Sequence, residues 1–102
     1  MISSRRHSYR TQIRSIEDLH IGDFVKVRPK YYFLNQPEST LYGGFGFSEP
    51  MYAMCGQFCR IRFIDINSEH PYFSVFGITY SFTVEMIEPE LYTLEEVNKE
   101  VF

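Results

Sequence analysis

The sequence contains no tryptophan, two cysteines and three histidines. Each shortage removes a class of chemistry. Cys55 and Cys59 are spaced C-x-x-x-C, which is not the redox C-x-x-C motif, and two thiols do not complete a zinc site. Reduced, partly buried thiols in a cytoplasmic setting are the expectation. No apolar run reaches the length of a signal-peptide core or a membrane span, so no membrane partner is expected. His7, His20 and His70 stand far apart, and none is paired in sequence with a nucleophile. Glu85 and Glu88 lie at i, i+3, a spacing that could serve acid–base chemistry but fits exposed carboxylates as well. The sequence therefore assigns no catalytic residue, no metal and no cofactor, and points away from an enzyme.

Aromatics are abundant instead: eight Tyr and ten Phe, 18% of 102 residues. With 44% hydrophobic and 23% charged residues the composition is that of a globular chain of one domain with a modest core. Tyr and Phe suit pleated, half-buried surfaces, and a surplus of them favours interfaces. The net charge of −3 conceals a division. Residues 1–50 hold seven Lys/Arg against five Asp/Glu, a net of +2, and residues 51–102 hold three against eight, a net of −5. A dipolar chain of this kind can steer a charged partner.

Along the chain, residues 1–14 read as a basic arm carrying Arg5, Arg6, Arg10 and Arg14. Residues 15–90 read as the folded domain, and 91–102 as a short C-terminal helix. Ser15-Ile16-Glu17-Asp18 matches a capping box, so one helical turn should follow. Phe24–Arg28 alternates, with Val25 and Val27 on one face and Lys26 and Arg28 on the other, and Pro29 ends it. Lys30–Phe47 is long, glycine-bearing and largely irregular. Ser48-Glu49-Pro50 should cap a turn or two of helix that Gly56 stops. Gln57–Asp65 is the clearest strand: Cys59, Ile61 and Phe63 share one face, Arg60 and Arg62 the other. Strands at Tyr72–Phe76 and Thr79–Thr83 should flank a tight turn at Gly77-Ile78, and Met86–Glu88 should form a short final strand. Thr93-Leu94-Glu95-Glu96 is a second capping box, with Leu94, Val97 and Val101 as an apolar stripe. The expected fold is mainly β: a small five-stranded antiparallel SH3-like barrel with short helical turns and a short C-terminal helix.

Three pieces in order, "IGDFVKVRP", "YGGFGFSEPMYAMCGQFCRI" and "YSFTVEMIEP", carry a resemblance. Over roughly residues 16–89 the chain resembles a family of small SH3-like barrels of bacteria and phages, similar to the repeats of mind-bomb-type ubiquitin ligases. The resemblance implies the barrel and a phage or mobile-element setting, in a host cytoplasm or a virion. It implies no activity.

The stretch "GGFGFSEPM" is not a phosphate loop. It has no Lys, it places Glu49 where an anion would sit, and Pro50 supplies no N–H. Its glycines should let the loop take positive φ, while Tyr42, Phe45 and Phe47 either fold back as a lid or remain exposed as a contact patch. The expected function is non-enzymatic protein binding, as an adaptor, inhibitor or virion component. Tyr42, Phe45, Phe47 and Phe82 would be the apolar anchors, and Lys26, Arg28, Arg60 and Arg62 the charged ones. Single-stranded nucleic acid is the alternative partner for such a basic face, and a small homo-oligomer formed between basic arm and acidic C-terminal segment is a third possibility.

Overall fold

The computed structural model describes residues 11–101, and side chains within that span up to Lys99. Arg5, Arg6, Arg10 and His7 of the expected arm lie outside the described residues, as does the Val101 side chain.

The fold is mainly β, with five strands in antiparallel sheets and short helices. Strand β1 (Phe24–Lys26) is followed by helix α1 (Lys30–Leu34), then by a two-stranded hairpin, β2 (Leu41–Tyr42) and β3 (Phe45–Gly46). A 3-10 segment, Glu49–Met54, leads into the long strand β4 (Phe58–Asp65), which is followed by β5 (Tyr72–Val75). Beyond a 3-10 turn at Val84–Met86, the chain ends in helix α2 (Leu94–Val101). β4 is central in the three-stranded sheet, with β1 on one side and β5 on the other.

The alternation in the sequence sets this sheet. Val25 lies opposite Cys59, and Phe24 and Lys26 lie opposite Arg60 and Phe58. Val25, Val27, Cys59 and Ile61 are consequently buried together, and their charged neighbours face the other way. Phe73, Val75, Phe82, Met86 and Ile87 complete the interior. Each such side chain contributes about 1.5–3 kcal/mol by leaving water.

The remaining strips are shorter than expected. Phe82 exchanges two backbone hydrogen bonds with Phe73, both 2.8 Å, as an isolated bridge where a fourth strand at Thr79–Thr83 was expected. Where a final strand at Met86–Glu88 was expected, a 3-10 turn at Val84–Met86 is followed by one bridge, Ile87 to Val27. The Glu88 N–H donates to the Lys26 carbonyl at 2.7 Å, and the Tyr92 N–H donates to Phe24 at 3.0 Å. The end of the chain thus returns along β1. On its far side, the Ile13 N–H donates to Pro89 and the Leu91 N–H to Thr11, both at 2.9 Å. Ile13 is buried, so residues 11–13 belong to the folded body rather than to a free arm.

Both capping boxes form. The Asp18 carboxylate accepts from the N–H of Arg14 and Ser15, while Ser15 Oγ accepts from Glu17. Glu96 Oε1 accepts from the Thr93 N–H at 2.8 Å, and the Glu96 N–H donates to Thr93 Oγ1 at 3.1 Å. Ser48, by contrast, makes no side-chain cap; Pro50 in the first turn of Glu49–Met54 supplies the start.

The segment read as irregular is the largest departure. Helix α1 and the β2–β3 hairpin occupy it, organised by rings. Phe33 stacks on Phe47 with centroids 3.6 Å apart and meets Tyr42 edge-on at 5.2 Å. Tyr42 and Phe33 are buried, so the aromatic surplus builds a second, local core. The hairpin turn needs its glycines. Gly43 and Gly44 have φ of +63° and +95°, and a Cβ on Gly43 would lie 2.9 Å from the Thr83 side chain. Thr83 Oγ1 meanwhile donates to the Tyr42 carbonyl at 2.8 Å, fastening the hairpin to the main sheet.

Candidate functional site: an arginine–aromatic face on the central sheet

The outward side of β1, β4 and β5 carries two exposed arginines and two exposed rings, Arg60, Arg62, Phe63 and Phe76. Arg60 lies opposite Phe24, and its guanidinium sits 5.5 Å from the Phe24 ring centroid and 5.9 Å from that of Phe76. Its Nε donates to the Gly22 carbonyl at 3.3 Å. Arg62 follows on the same strand, with a terminal nitrogen donating to Ser74 Oγ at 3.3 Å. Among the described residues, neither guanidinium has a carboxylate partner. Both arginines are exposed.

A β-bulge brings a large ring to this face. The register shifts between Ile61 and Phe63, so that Ile61 opposes Val75 but Phe63 opposes Ser74. The extra residue is Arg62. Parity inverts past it: Ile64 turns inward opposite Phe73, and Phe63 turns outward, 46% exposed. This corrects the expectation that Phe63 joins Cys59 and Ile61 inside. Phe76, 53% exposed, follows the parity of Ser74 at the end of β5.

The expected cations divide. Lys26 shares the outward side with Arg60, and its ammonium lies 5.1 Å from the Phe58 ring, which packs on Tyr92. Arg28 lies past the end of the strand and is bound elsewhere. Its Nε donates to the Glu85 carbonyl at 3.1 Å, and its guanidinium covers Tyr32 at 4.4 Å. Arg28 acts as a brace between α1 and the 84–86 turn rather than as part of an open patch.

The expected apolar anchors are buried or packed against other rings. Phe82 and Tyr42 are buried, the first stacked on Phe73 and the second within the loop cluster. Phe47 is held face to face with Phe33, and Phe45 packs half-buried against Tyr72 and His70. The tight glycine turn folds these rings back as a lid. Phe63 and Phe76 are the exposed rings on this face of the sheet, and sequence reasoning passed over both. Phe76 was legible from parity with Ser74; Phe63 was not, because alternation carries no sign of a bulge.

The other titratable groups stand apart. The Cys59 thiol is pushed up to about 11 by burial, and Cys55 is raised for the same reason, which keeps both thiols protonated at neutral pH. No cluster of three or more His, Cys, Asp or Glu able to hold a metal occurs among the described residues. Within the same span no helix is long and apolar enough to cross a membrane. In comparisons with known proteins, no family model matches the sequence, and no curated protein or solved structure is significantly similar to it.

Proposed function

We propose that this chain is a non-enzymatic protein-binding module on an SH3-like barrel, docking an acidic partner surface against the outward side of β1–β4–β5. The barrel reading is supported by the order of backbone pairing: β1–β4–β5, then Phe82 on β5, a 3-10 turn, and Ile87 back on β1. The sequence resemblance supports the same fold and a role as a phage or mobile-element accessory.

The observation that carries the binding reading is the pair Arg60 and Arg62, without carboxylate partners among the described residues, beside the exposed rings of Phe63 and Phe76. Arginine and aromatic side chains dominate the energetics of protein interfaces. A guanidinium also recognises a carboxylate through two parallel hydrogen bonds. Arg60 is already fixed by two rings and a carbonyl, so little side-chain freedom remains to be lost on docking. Single-stranded nucleic acid is a second reading, favoured by the same exposed rings, on which bases can stack.

The test is affinity capture with the intact chain and with Arg60→Glu/Arg62→Glu. At about 0.15 M salt, where long-range surface electrostatics are screened, the native protein should retain a specific protein that the variant retains at least about tenfold less well. Equal retention by both would reject the face. Tight binding of a single-stranded oligonucleotide, weakening steeply with salt, would transfer the face to nucleic acid.

A further inference from the structure

A second concavity lies away from the arginine face and shares none of its residues. It is an open cleft of about 510 Å³ between α1, the β2–β3 hairpin and the Glu49–Met54 turn. Phe33, Tyr42, Phe47 and Tyr52 form its apolar side, and Glu38 and Glu49 stand at its rim. No Lys or Arg lines it. Both carboxylates are exposed and, among the described residues, neither makes an ion pair or a side-chain hydrogen bond. The rings are rigidly placed: Phe47 is stacked on Phe33, and Tyr52 packs on Phe47 at 5.6 Å. Tyr52 also already presents a ring face to a cation, since the Lys30 ammonium lies 5.7 Å from its centroid.

Ring faces attract cations through their quadrupole, and a nearby carboxylate adds charge. A planar guanidinium satisfies both at once, stacking flat on a ring while its edge donates two parallel hydrogen bonds to a carboxylate, a geometry an ammonium lacks. We infer that this cleft receives an arginine side chain of a basic partner segment, seated on the Phe47–Tyr52 side and held by Glu38 and Glu49. The molecule would then carry two binding faces of opposite preference, an acidic cleft and a basic sheet.

The probe is acetyl-Gly-Arg-Gly-amide, titrated into the isotope-labelled protein and followed by amide chemical shifts. Shifts should concentrate between residues 33 and 52, with an apparent dissociation constant near about 1 mM, as for one small anchor. The citrulline peptide, equal in shape but uncharged, should bind at least about tenfold more weakly, and the lysine peptide about threefold more weakly. Glu38→Gln/Glu49→Gln should lose about fivefold or more in affinity with an unchanged melting temperature, since both side chains are exposed. Equal binding of the citrulline peptide, a lysine preference, or shifts that map outside 33–52 would overturn the assignment. So would the lack of any shift up to about twenty times that concentration. None of these outcomes depends on Arg60 or Arg62, so the two sites succeed or fail separately.

Discussion

Arg60 is held in place within the folded chain, chiefly by the rings of its own cross-strand neighbours. Phe24 and Phe76 flank the guanidinium and the Gly22 carbonyl accepts from it, contacts worth about 0.5–1 kcal/mol per ring at an exposed site. The same scale governs the glycine turn. Gly44 has φ +95°, and a Cβ there would run into the His70 side chain, whereas Gly46 has open space and no left-handed backbone. Gly44→Ala should therefore cost about 1–3 kcal/mol in urea unfolding, and Gly46→Ala less than about 0.5 kcal/mol. Asp18 provides a pH-dependent contribution. Backbone N–H groups of Arg14 and Ser15 hold its carboxyl below the ordinary 3.8. A carboxyl depressed in the folded state stabilises above its unfolded value, and that stabilisation is lost as pH falls through the folded one. Asp18→Asn should melt earlier than the native chain at neutral pH, and the difference should shrink through the acid range below about pH 4. A constant gap down to strongly acid pH would show that Asp18 acts by another route.

Among the elements, β4 does most to define the surface. Alternation alone places its first half, but the bulge at Arg62 divides the strand into two halves of opposite parity. Sequence patterning located Cys59 and Ile61 correctly because both sit before the shift, and Val25 and Val27 because β1 pairs in regular register. It misplaced Phe63 because an extra residue leaves no trace in the composition of the strand. The contrast is measurable. Ile61→Ala, in the core, should cost about 2–5 kcal/mol, while Phe63→Thr should change stability by less than about 1 kcal/mol. A large loss on Phe63→Thr would place its ring inside and contradict the bulge. Both capping boxes were legible, since Ser15…Asp18 and Thr93…Glu96 are local patterns that need no tertiary partner. Helix α1 was hidden for the opposite reason. Its five residues, Lys30–Leu34, have no cap side chain, and it is fixed by Phe33 packing on Tyr42 and Phe47.

At the scale of the molecule, the charges of the described residues do not sort by their half of the sequence. Arg60 and Arg62 lie in the acidic half of the chain yet head the basic face, and Glu38 and Glu49 lie in the basic half yet rim the acidic cleft. Folding redistributes the charge because β4 is drawn beside β1, over thirty residues away in sequence. That pairing was readable from two alternating stretches. The loop between them was not, because its shape depends on long-range contacts such as Thr83 Oγ1 to the Tyr42 carbonyl. The decisive measurement for the proposed docking face is amide hydrogen exchange of the intact chain, alone and with any protein retained in the affinity capture. Exchange should slow across residues 58–63 and 74–77, and the slowing should be lost with Arg60→Glu/Arg62→Glu. Protection confined to α2 or to the Glu49–Met54 turn, with the sheet unchanged, would contradict it.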